Sequence, residues 1–416
     1  MTTPSAAGQG GKGLNPAWIV ILAGVSAALH VGKLPPALPV LQQELGISLV
    51  QSGFLLSLVQ LASMTLGLMA GLTADGIGLR RCMLTGLWLL FSAGLAGAWA
   101  DDAGALLALR AVEGLGFLLT TVAAPSMIRR TVAPKQLTRM LGFWGAFMPF
   151  GTAVALLLGP LVMAAIGWPG WWWLTAGFSA VMALWVHVSL PPDARPAAPA
   201  AAAVPPGASG ASGWATRLKQ TLCSAGPWLS ALTFAAYSAQ WLAVIGFLPS
   251  LYAQSGWTGA LGAVLTALVA AVNILGNIAA GRLLHHGVGA RTLLWIGFGA
   301  MAVGAFLAFS ALTEPIPVIR YSGALLFSAV GGLIPGTLFG LAPIIAPNER
   351  TISTTVGWMM QWSAAGQLTG PPVVAWVASQ AGGWQWTWAV TCGCCVVGAL
   401  LAMLIARRLG TIRSIP

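Results

Sequence analysis

The sequence has few charged residues: 19 Lys and Arg and 8 Asp and Glu make up only 6% of its 416 residues. A soluble domain carries about a quarter of its residues as charges, so a water-soluble enzyme is excluded. No Gly-x-x-x-x-Gly-Lys-Ser/Thr loop occurs, which excludes ATP as the direct energy source. The 5 cysteines lack zinc-type spacing. We therefore expect no metal, no cofactor and no enzymatic activity.

Long apolar runs account for most of the chain, which is 57% hydrophobic. A helix that crosses a bilayer needs about 20 mostly apolar residues, and twelve segments meet this requirement. They lie near 17–41, 49–74, 82–100, 104–127, 137–166, 171–190, 226–251, 260–283, 291–311, 316–345, 352–379 and 385–406. The predicted fold is an all-α membrane protein with 12 transmembrane helices.

The net charge of +11 reflects membrane topology rather than nucleic-acid binding. Of the 19 basic residues, 16 fall in segments on one side of the predicted membrane, and excess Lys and Arg mark the cytoplasmic side. We expect both termini in the cytoplasm and the protein in a bacterial inner membrane. Residues 1–16 and 409–416 are predicted to be tails, and the Pro-, Ala- and Gly-rich segment 191–220 a flexible linker.

The two halves of the chain, 17–190 and 221–408, repeat each other at an offset that drifts only from 210 to 216. The matched pairs include Pro39 with Pro249, Gly46 with Gly256, Arg110 with Arg320, Gly151 with Gly366, and Trp172 with Trp388. Two parallel six-helix bundles related by an axis along the membrane normal are typical of transporters.

The loop after the second span contains GLTADGIGLRR, from Gly71 to Arg81. It resembles the Gly-x-x-x-Asp-x-x-Gly-x-Arg-Arg motif of the major facilitator superfamily. The resemblance implies a cytoplasmic gate in which Asp75 pairs with Arg80 or Arg81. The basic residue usual after the aspartate is Gly76 here, which weakens the expected latch.

Two further motifs support this resemblance. In span four, LLALRAVEGLG resembles a motif of proton-coupled members, with Glu113 in place of glutamine. Gly159-Pro160 in span five and Gly370-Pro371 in span eleven resemble an element associated with antiporters. The segments HVGKLPPALPVLQQELGIS and RAVEGLGF are similar to the bacterial cyanate and nitroimidazole permease branch. The family's usual state is a monomer.

Charged residues inside membrane spans are costly and mark functional sites by default. Lys33 in span one and Arg110 in span four fall at overlapping heights, and Arg320 is the repeat counterpart of Arg110. His30 and Glu113 each lie three residues from one of these cations, on the same helix face. In the family fold, spans one, four, seven and ten line the central cavity.

The leading hypothesis is proton-coupled transport of a small anionic organic compound. Lys33 and Arg320 would bind the anion, and Arg110 would tune Glu113 as the proton carrier; alternatively, Arg110 and Glu113 pair only for stability. Further candidate substrate-binding residues are His30, Tyr237, Gln240, Asn273 and Gln361, with interhelical hydrogen bonding as the alternative for the last two. The Trp clusters at 168–173 and 384–388 are predicted to anchor the outer membrane boundary.

Two alternatives remain open. A proton-coupled antiporter that exports drugs or amphiphilic compounds is favoured by the Gly-Pro elements and the many aromatic residues. A membrane receptor or structural protein without transport activity is a second alternative, which the motifs of the first half disfavour.

Overall fold

The computed structural model describes residues 15–193 and 210–413, which form helices joined by short turns. Nine helices within these ranges are long and apolar enough to cross a membrane. One of them, Phe147–Ser189, contains two helices that meet at Gly167, where φ is 72°. These nine spans therefore contain ten helices. Leu79–Gly97 and Ile352–Ala381 bring the number of long helices in the described ranges to twelve. The predicted all-helical fold with twelve transmembrane helices is confirmed.

We number these helices in chain order. They are α1 Pro16–Glu44, α2 49–77, α3 Leu79–Gly97, α4 Ala103–Thr131, α5 134–166, α6 168–189, α7 Ala225–Gln254, α8 Gly259–His285, α9 Ala290–Phe309, α10 Pro317–Ile345, α11 Ile352–Ala381 and α12 Thr387–Arg413. The described chain begins and ends on the same side of this bundle, which we call the terminal side. The opposite side is the far side.

The Gly-Pro elements hold equivalent helix pairs together in the two halves. A Cβ atom at Gly159 of α5 would lie 2.8 Å from the Cγ atom of Pro36 on α1. At Gly370 of α11 it would lie 2.0 Å from the carbonyl oxygen of Ala239 on α7. Small residues allow such close approach between membrane helices. These glycines therefore allow α5 to pack closely against α1, and α11 against α7.

Helix α1 is interrupted at Lys33, between the segments Pro16–Gly32 and Leu34–Glu44. Pro35 and Pro36 follow this position, and proline has no N–H to donate to the preceding turn. Interrupted helices near the middle of the membrane are where transporters place their binding sites. The two prolines thus explain why the helix is interrupted beside a buried lysine.

The two halves touch through both polar and apolar contacts. Gln60 of α2 donates a hydrogen bond from Nε2 to Oε1 of Gln367 on α11, at 3.1 Å. Leu242 of α7 belongs to a buried cluster with Val31 and Phe117 of the first half. This arrangement closes the interface between α1, α4 and α7 to solvent.

Helices reach into the predicted linker and the predicted C-terminal tail, and residues 194–209 of that linker lie outside the described residues. A helix, Gly210–Leu222, occupies the end of the segment 191–220 that was expected to be flexible, and Gln220 on it accepts a hydrogen bond from Asn348 at 3.0 Å. Its Leu, Lys and Gln residues are good helix formers, and this contact holds it against the bundle. At the C terminus, α12 continues to Arg413, through part of the predicted tail 409–416. Residues 1–14 of the predicted first tail lie outside the described residues.

The predicted tryptophan anchors are only partly correct. Trp171 and Trp172 are 1% exposed and belong to the core of the first half, whereas their neighbour Trp173 is 47% exposed. Successive residues of a helix point to different faces, so a run of tryptophans cannot lie wholly against lipid. Trp99 and Trp173, with ring centroids 5.9 Å apart, form an exposed aromatic pair on the far side.

Candidate functional site

The centre of the first half holds a carboxylate in contact with three basic side chains. Glu113 of α4 forms an ion pair through Oε1 with Nζ of Lys33 on α1. Its Oε2 accepts a hydrogen bond from Nη1 of Arg110 at 2.5 Å. Its Oε1 also lies 3.0 Å from Nδ1 of His30. We call these four residues, Lys33, Glu113, Arg110 and His30, the central cluster.

The central cluster is closed to solvent. His30 and Lys33 are 0% exposed, and Arg110 and Glu113 are 1% exposed. A buried charge is tolerated when it is paired and its remaining polar atoms are hydrogen-bonded. With a neutral histidine, two cations and one carboxylate leave the cluster one positive charge in excess.

Arg110 ties the cluster to the interruption in α1. Its Nη1 donates to the carbonyl oxygen of His30 at 2.6 Å, and its Nε donates to the carbonyl oxygen of Leu55 on α2 at 3.0 Å. The carbonyl of His30 is one turn before the break at Lys33, where helical hydrogen bonds are lost. Arg110 Nη2 is buried and has no hydrogen-bond partner. Arg110 therefore joins α1, α2 and α4 at one point.

His30 and its repeat counterpart Gln240 make equivalent contacts. Nε2 of His30 lies 2.9 Å from Oγ of Ser179 on α6. In the second half, Cys395 on α12 donates from Sγ to Oε1 of Gln240 at 3.2 Å. Ser179 and Cys395 are themselves offset by 216 in the chain, as the repeat requires. Ser179 was not among the residues predicted for the site, although the repeat offset could have indicated it.

Two tryptophans flank Lys33. Trp171 of α6 donates from Nε1 to the carbonyl oxygen of Lys33 at 3.1 Å. The Nζ atom of Lys33 lies 4.7 Å from the centroid of the Trp172 ring, within the range of a cation–π interaction. The residues assigned to the membrane boundary from the sequence thus form part of the surroundings of the lysine.

Tyr237 and Asn273 form a second polar group in the other half. Nδ2 of Asn273 donates to the hydroxyl of Tyr237 at 3.0 Å and to the carbonyl oxygen of Ser328 on α10 at 2.8 Å. Asn273 is 3% exposed and begins the second segment of α8 after the break at Val272. These bonds join α7, α8 and α10, which agrees with the interhelical alternative for Asn273.

Gln361 lies at the contact between the two halves. Its Oε1 accepts a hydrogen bond from the backbone N–H of Leu68 on α2, at 3.2 Å. A Cβ atom at Gly67 would lie 3.8 Å from the Cβ atom of Gln361. Gln361 therefore joins α11 to α2 through this hydrogen bond.

The structure does not bring Arg320 to the central cluster, so the expected convergence of three cations is wrong. Arg320 is the fourth residue of α10, whereas Arg110 is the eighth residue of α4. Its Nε donates to the carbonyl oxygen of Ala308 on α9 at 2.9 Å, and it lines a cavity on the far side. The repeat matched the two arginines in sequence, but α10 begins closer to its arginine.

At the predicted gate, Asp193 contacts the two arginines. The backbone N–H groups of Arg80 and Arg81 donate to Oδ1 and Oδ2 of Asp193 at 3.0 and 2.9 Å. Nη2 of Arg80 donates to the carbonyl oxygen of His187. Asp75 lies in α2, and its side chain is outside the described ones. A carboxylate at a helix N terminus satisfies free N–H groups and the helix dipole, so Asp193 caps α3.

Comparison with protein families gives one long match. The model described as Major Facilitator Superfamily matches residues 20–364. The chain is similar to the Methylenomycin A resistance protein of Streptomyces coelicolor, with 28% identity over 331 residues, 76% of this chain and 61% of that protein. The chain thus spans about three fifths of the length of this relative.

Solved transporter structures share the fold. The chain superposes on a bacterial homolog of the human lysosomal transporter Spinster with a TM-score of 0.73 and 14% identity, covering 96% of this chain and 99% of that one. It superposes on the D-xylose-proton symporter with a TM-score of 0.72 and 16% identity, covering 94% and 96%. At these identities the likeness shows the fold alone. The narrower resemblance to the cyanate and nitroimidazole permease branch stays a prediction.

Proposed function

Because the chain belongs to the Major Facilitator Superfamily, whose members are membrane transporters and not enzymes, we propose that it is a proton-coupled secondary transporter of a small organic compound. Glu113 carries the coupled proton. The observation that supports this role is the ion pairing of Glu113 with both Lys33 and Arg110 in a site closed to solvent. Among the 8 acidic residues, Glu113 alone lies deep within a predicted span.

Protonation of Glu113 would change the balance of charge in the central cluster. The carboxylate would no longer neutralise Lys33 or Arg110, and the cluster would hold two unpaired positive charges. Removing one partner from a buried ion pair costs about 3–5 kcal/mol. The closed arrangement therefore becomes unfavourable when the proton binds. A rocking movement of the two halves would open the cluster to water, which would hydrate Lys33 and Arg110. This couples proton binding to alternating access.

For the substrate, we propose export of an amphiphilic compound in exchange for protons. The similar protein from Streptomyces coelicolor is named for resistance to methylenomycin A. Aromatic side chains occur on both halves near the terminal side: Trp144 stacks on Phe147 with centroids 4.2 Å apart, and Phe234 contacts Phe339 at 5.5 Å. Such surfaces suit apolar, planar compounds.

Import of a small organic anion is the second candidate function. It is favoured by the excess positive charge of the central cluster and by Arg110 Nη2, which is buried without a hydrogen-bond partner. Lys33 alone would supply the anion contact in this case, because Arg320 lies elsewhere. Binding of an anion would compensate the charge that appears when Glu113 takes up a proton.

The distribution of basic residues supports a proposed orientation of the protein in the membrane. We propose that the terminal side faces the cytoplasm of a bacterial cell, because 16 of the 19 Lys and Arg residues fall in the segments on that side. The protein then lies in the inner membrane as a monomer. The gate formed by Arg80, Arg81 and Asp193 is cytoplasmic in this orientation.

The test is transport by purified protein in proteoliposomes with an imposed pH gradient. Ethidium serves as an amphiphilic cation and radiolabelled succinate as a small organic anion. Glu113→Gln should abolish transport driven by the gradient, and Glu44→Gln is the matched control outside the cluster. Gradient-driven transport by Glu113→Gln at the wild-type rate would contradict the role of Glu113. Accumulation of succinate but not ethidium would favour the second candidate.

A further inference from the structure

A cavity on the far side of the second half has features of a binding site. Its volume is about 290 Å³, close to the lower end of small-molecule sites. Helices α7, α9 and α10 and the turn after α7 form its walls. Its lining residues are Leu248, Leu251, Tyr252, Gln254, Ser255, Trp257, Ala308, Glu314, Pro317, Arg320 and Ala324.

Arg320 brings a positive charge to this cavity. Its Nε donates a hydrogen bond to the carbonyl oxygen of Ala308. Among the described side chains, no carboxylate lies within 4.0 Å of the guanidinium. The internal repeat explains why Arg320 has no neighbouring carboxylate on its own helix. The counterpart of Glu113, three residues after Arg110, is Gly323, three residues after Arg320. The second half therefore has the arginine but lacks the carboxylate that neutralises the arginine of the first half.

Tyr252 adds a second polar group to the wall. It is 4% exposed, and its hydroxyl is buried without a hydrogen-bond partner. A buried hydroxyl without a partner costs about 1–3 kcal/mol. A ligand that accepts a hydrogen bond from this hydroxyl would remove the cost. The tyrosine hydroxyl and the arginine are both donors, so they favour an acceptor with negative charge.

The rings of Tyr252 and Trp257 form one side of the cavity, and the ring of Tyr321 contacts both of them. The centroid of Tyr252 lies 5.1 Å from that of Trp257, and Tyr321 lies 6.3 and 6.4 Å from the two. Leu248 and Leu251 are 1% and 7% exposed and add apolar surface. A flat apolar body fits against these rings, with its polar end directed to Arg320.

We propose that this cavity binds a small organic carboxylate that carries an apolar ring, at a site separate from the central cluster. The carboxylate pairs with Arg320 and accepts a hydrogen bond from Tyr252, and the ring packs on Trp257. Glu314, which is exposed at the rim, repels the carboxylate and limits its affinity. The inference concerns binding and holds whether or not Glu113 couples transport to protons.

The experiment measures equilibrium binding of radiolabelled benzoate to the full chain in detergent. Arg320→Gln should weaken binding at least about tenfold, the loss expected for one charge-assisted hydrogen bond. Tyr252→Phe should weaken it about threefold or more by the same reasoning. Glu314→Gln should tighten binding, because it removes a like charge. Benzyl alcohol, which has the ring without the charge, should not compete.

The matched control is Arg291→Gln. Arg291 lies on the terminal side with its guanidinium 4.5 Å from the centroid of Trp295, so the variant makes the same change of charge beside an aromatic ring. It should bind benzoate as the wild type does. Arg320→Lys, which keeps the charge, should retain more binding than Arg320→Gln if both fold. Equal binding by Arg320→Gln and Arg291→Gln, weaker binding by Glu314→Gln, or no benzoate binding by the wild type would each overturn the proposal.

Discussion

Lys33 and Glu113 form an ion pair in which the two side chains are only 0% and 2% exposed. The pair joins α1 to α4 across 80 residues of sequence. Water cannot reach it in this arrangement, so only a change in protonation or a movement of the helices can separate the charges. The pair therefore links the charge of these side chains to the arrangement of α1 and α4.

The first prediction tests the coupling of these two charges. Glu113→Gln leaves Lys33 and Arg110 unpaired and should lower the free energy of unfolding by about 3–5 kcal/mol. Lys33→Met in the Glu113→Gln background removes one unpaired cation and should recover part of this loss. The measurement is the thermal midpoint of the four proteins of the double-mutant cycle in detergent. Strictly additive effects would show that the two side chains do not interact.

The second prediction concerns the cap of α3. Asp193→Asn keeps the shape of the side chain but removes the charge that faces two N–H groups, and it should destabilise the start of α3 by about 1 kcal/mol. Hydrogen exchange at the amides of Arg80 and Arg81 should accelerate. Asp101→Asn is the control, since Asp101 is an exposed carboxylate with no hydrogen bond among the described residues. Unchanged exchange at both amides would argue against the cap.

The third prediction concerns Gly78, which precedes α3. It separates the backbone strain of an alanine there from its steric clash with Asp193. Gly78 has φ of 100°, and a Cβ atom there would lie 2.4 Å from Oδ2 of Asp193. Gly287, on the terminal side of the second half, has φ of 83° with nothing within 4 Å of its Cβ position. Both substitutions to alanine carry the strain of a positive φ, about 1–3 kcal/mol, and Gly78→Ala, where ψ is 124°, must also displace the cap. Its thermal midpoint should therefore be the lower of the two, and equal midpoints would remove Asp193 from the explanation.

The fourth prediction concerns the contact between α11 and α7. Gly370→Ala would place a methyl group 2.0 Å from the carbonyl oxygen of Ala239 and should destabilise the protein by about 1–3 kcal/mol. Gly393→Ala, in α12, meets nothing within 4 Å. It should raise stability by about 0.5–1 kcal/mol, because alanine is the better helix former. Thermal midpoints of the two variants should shift in opposite directions, and a shared direction would contradict the close packing.

Much of the architecture was predictable from the sequence. Long apolar runs determined the twelve helices, because a chain in a bilayer must satisfy its backbone hydrogen bonds internally. The repeat located equivalent turns: Gly46 and Gly256, matched at an offset of 210, both have positive φ, 62° and 80°. Three-residue spacing also placed Arg110 and Glu113 in contact, since such positions share a helix face.

The partners of the charged residues were decided by the tertiary structure. Spacing along one helix indicates which residues share a face, but the tilt, rotation and breaks of neighbouring helices decide what that face meets. Lys33 therefore meets Glu113 on another helix, and Asp193, from a segment predicted to be a linker, caps α3. Arg320 repeats Arg110 in sequence yet lies in a different cavity, because α10 begins nearer to it and glycine replaces the glutamate that would have neutralised it.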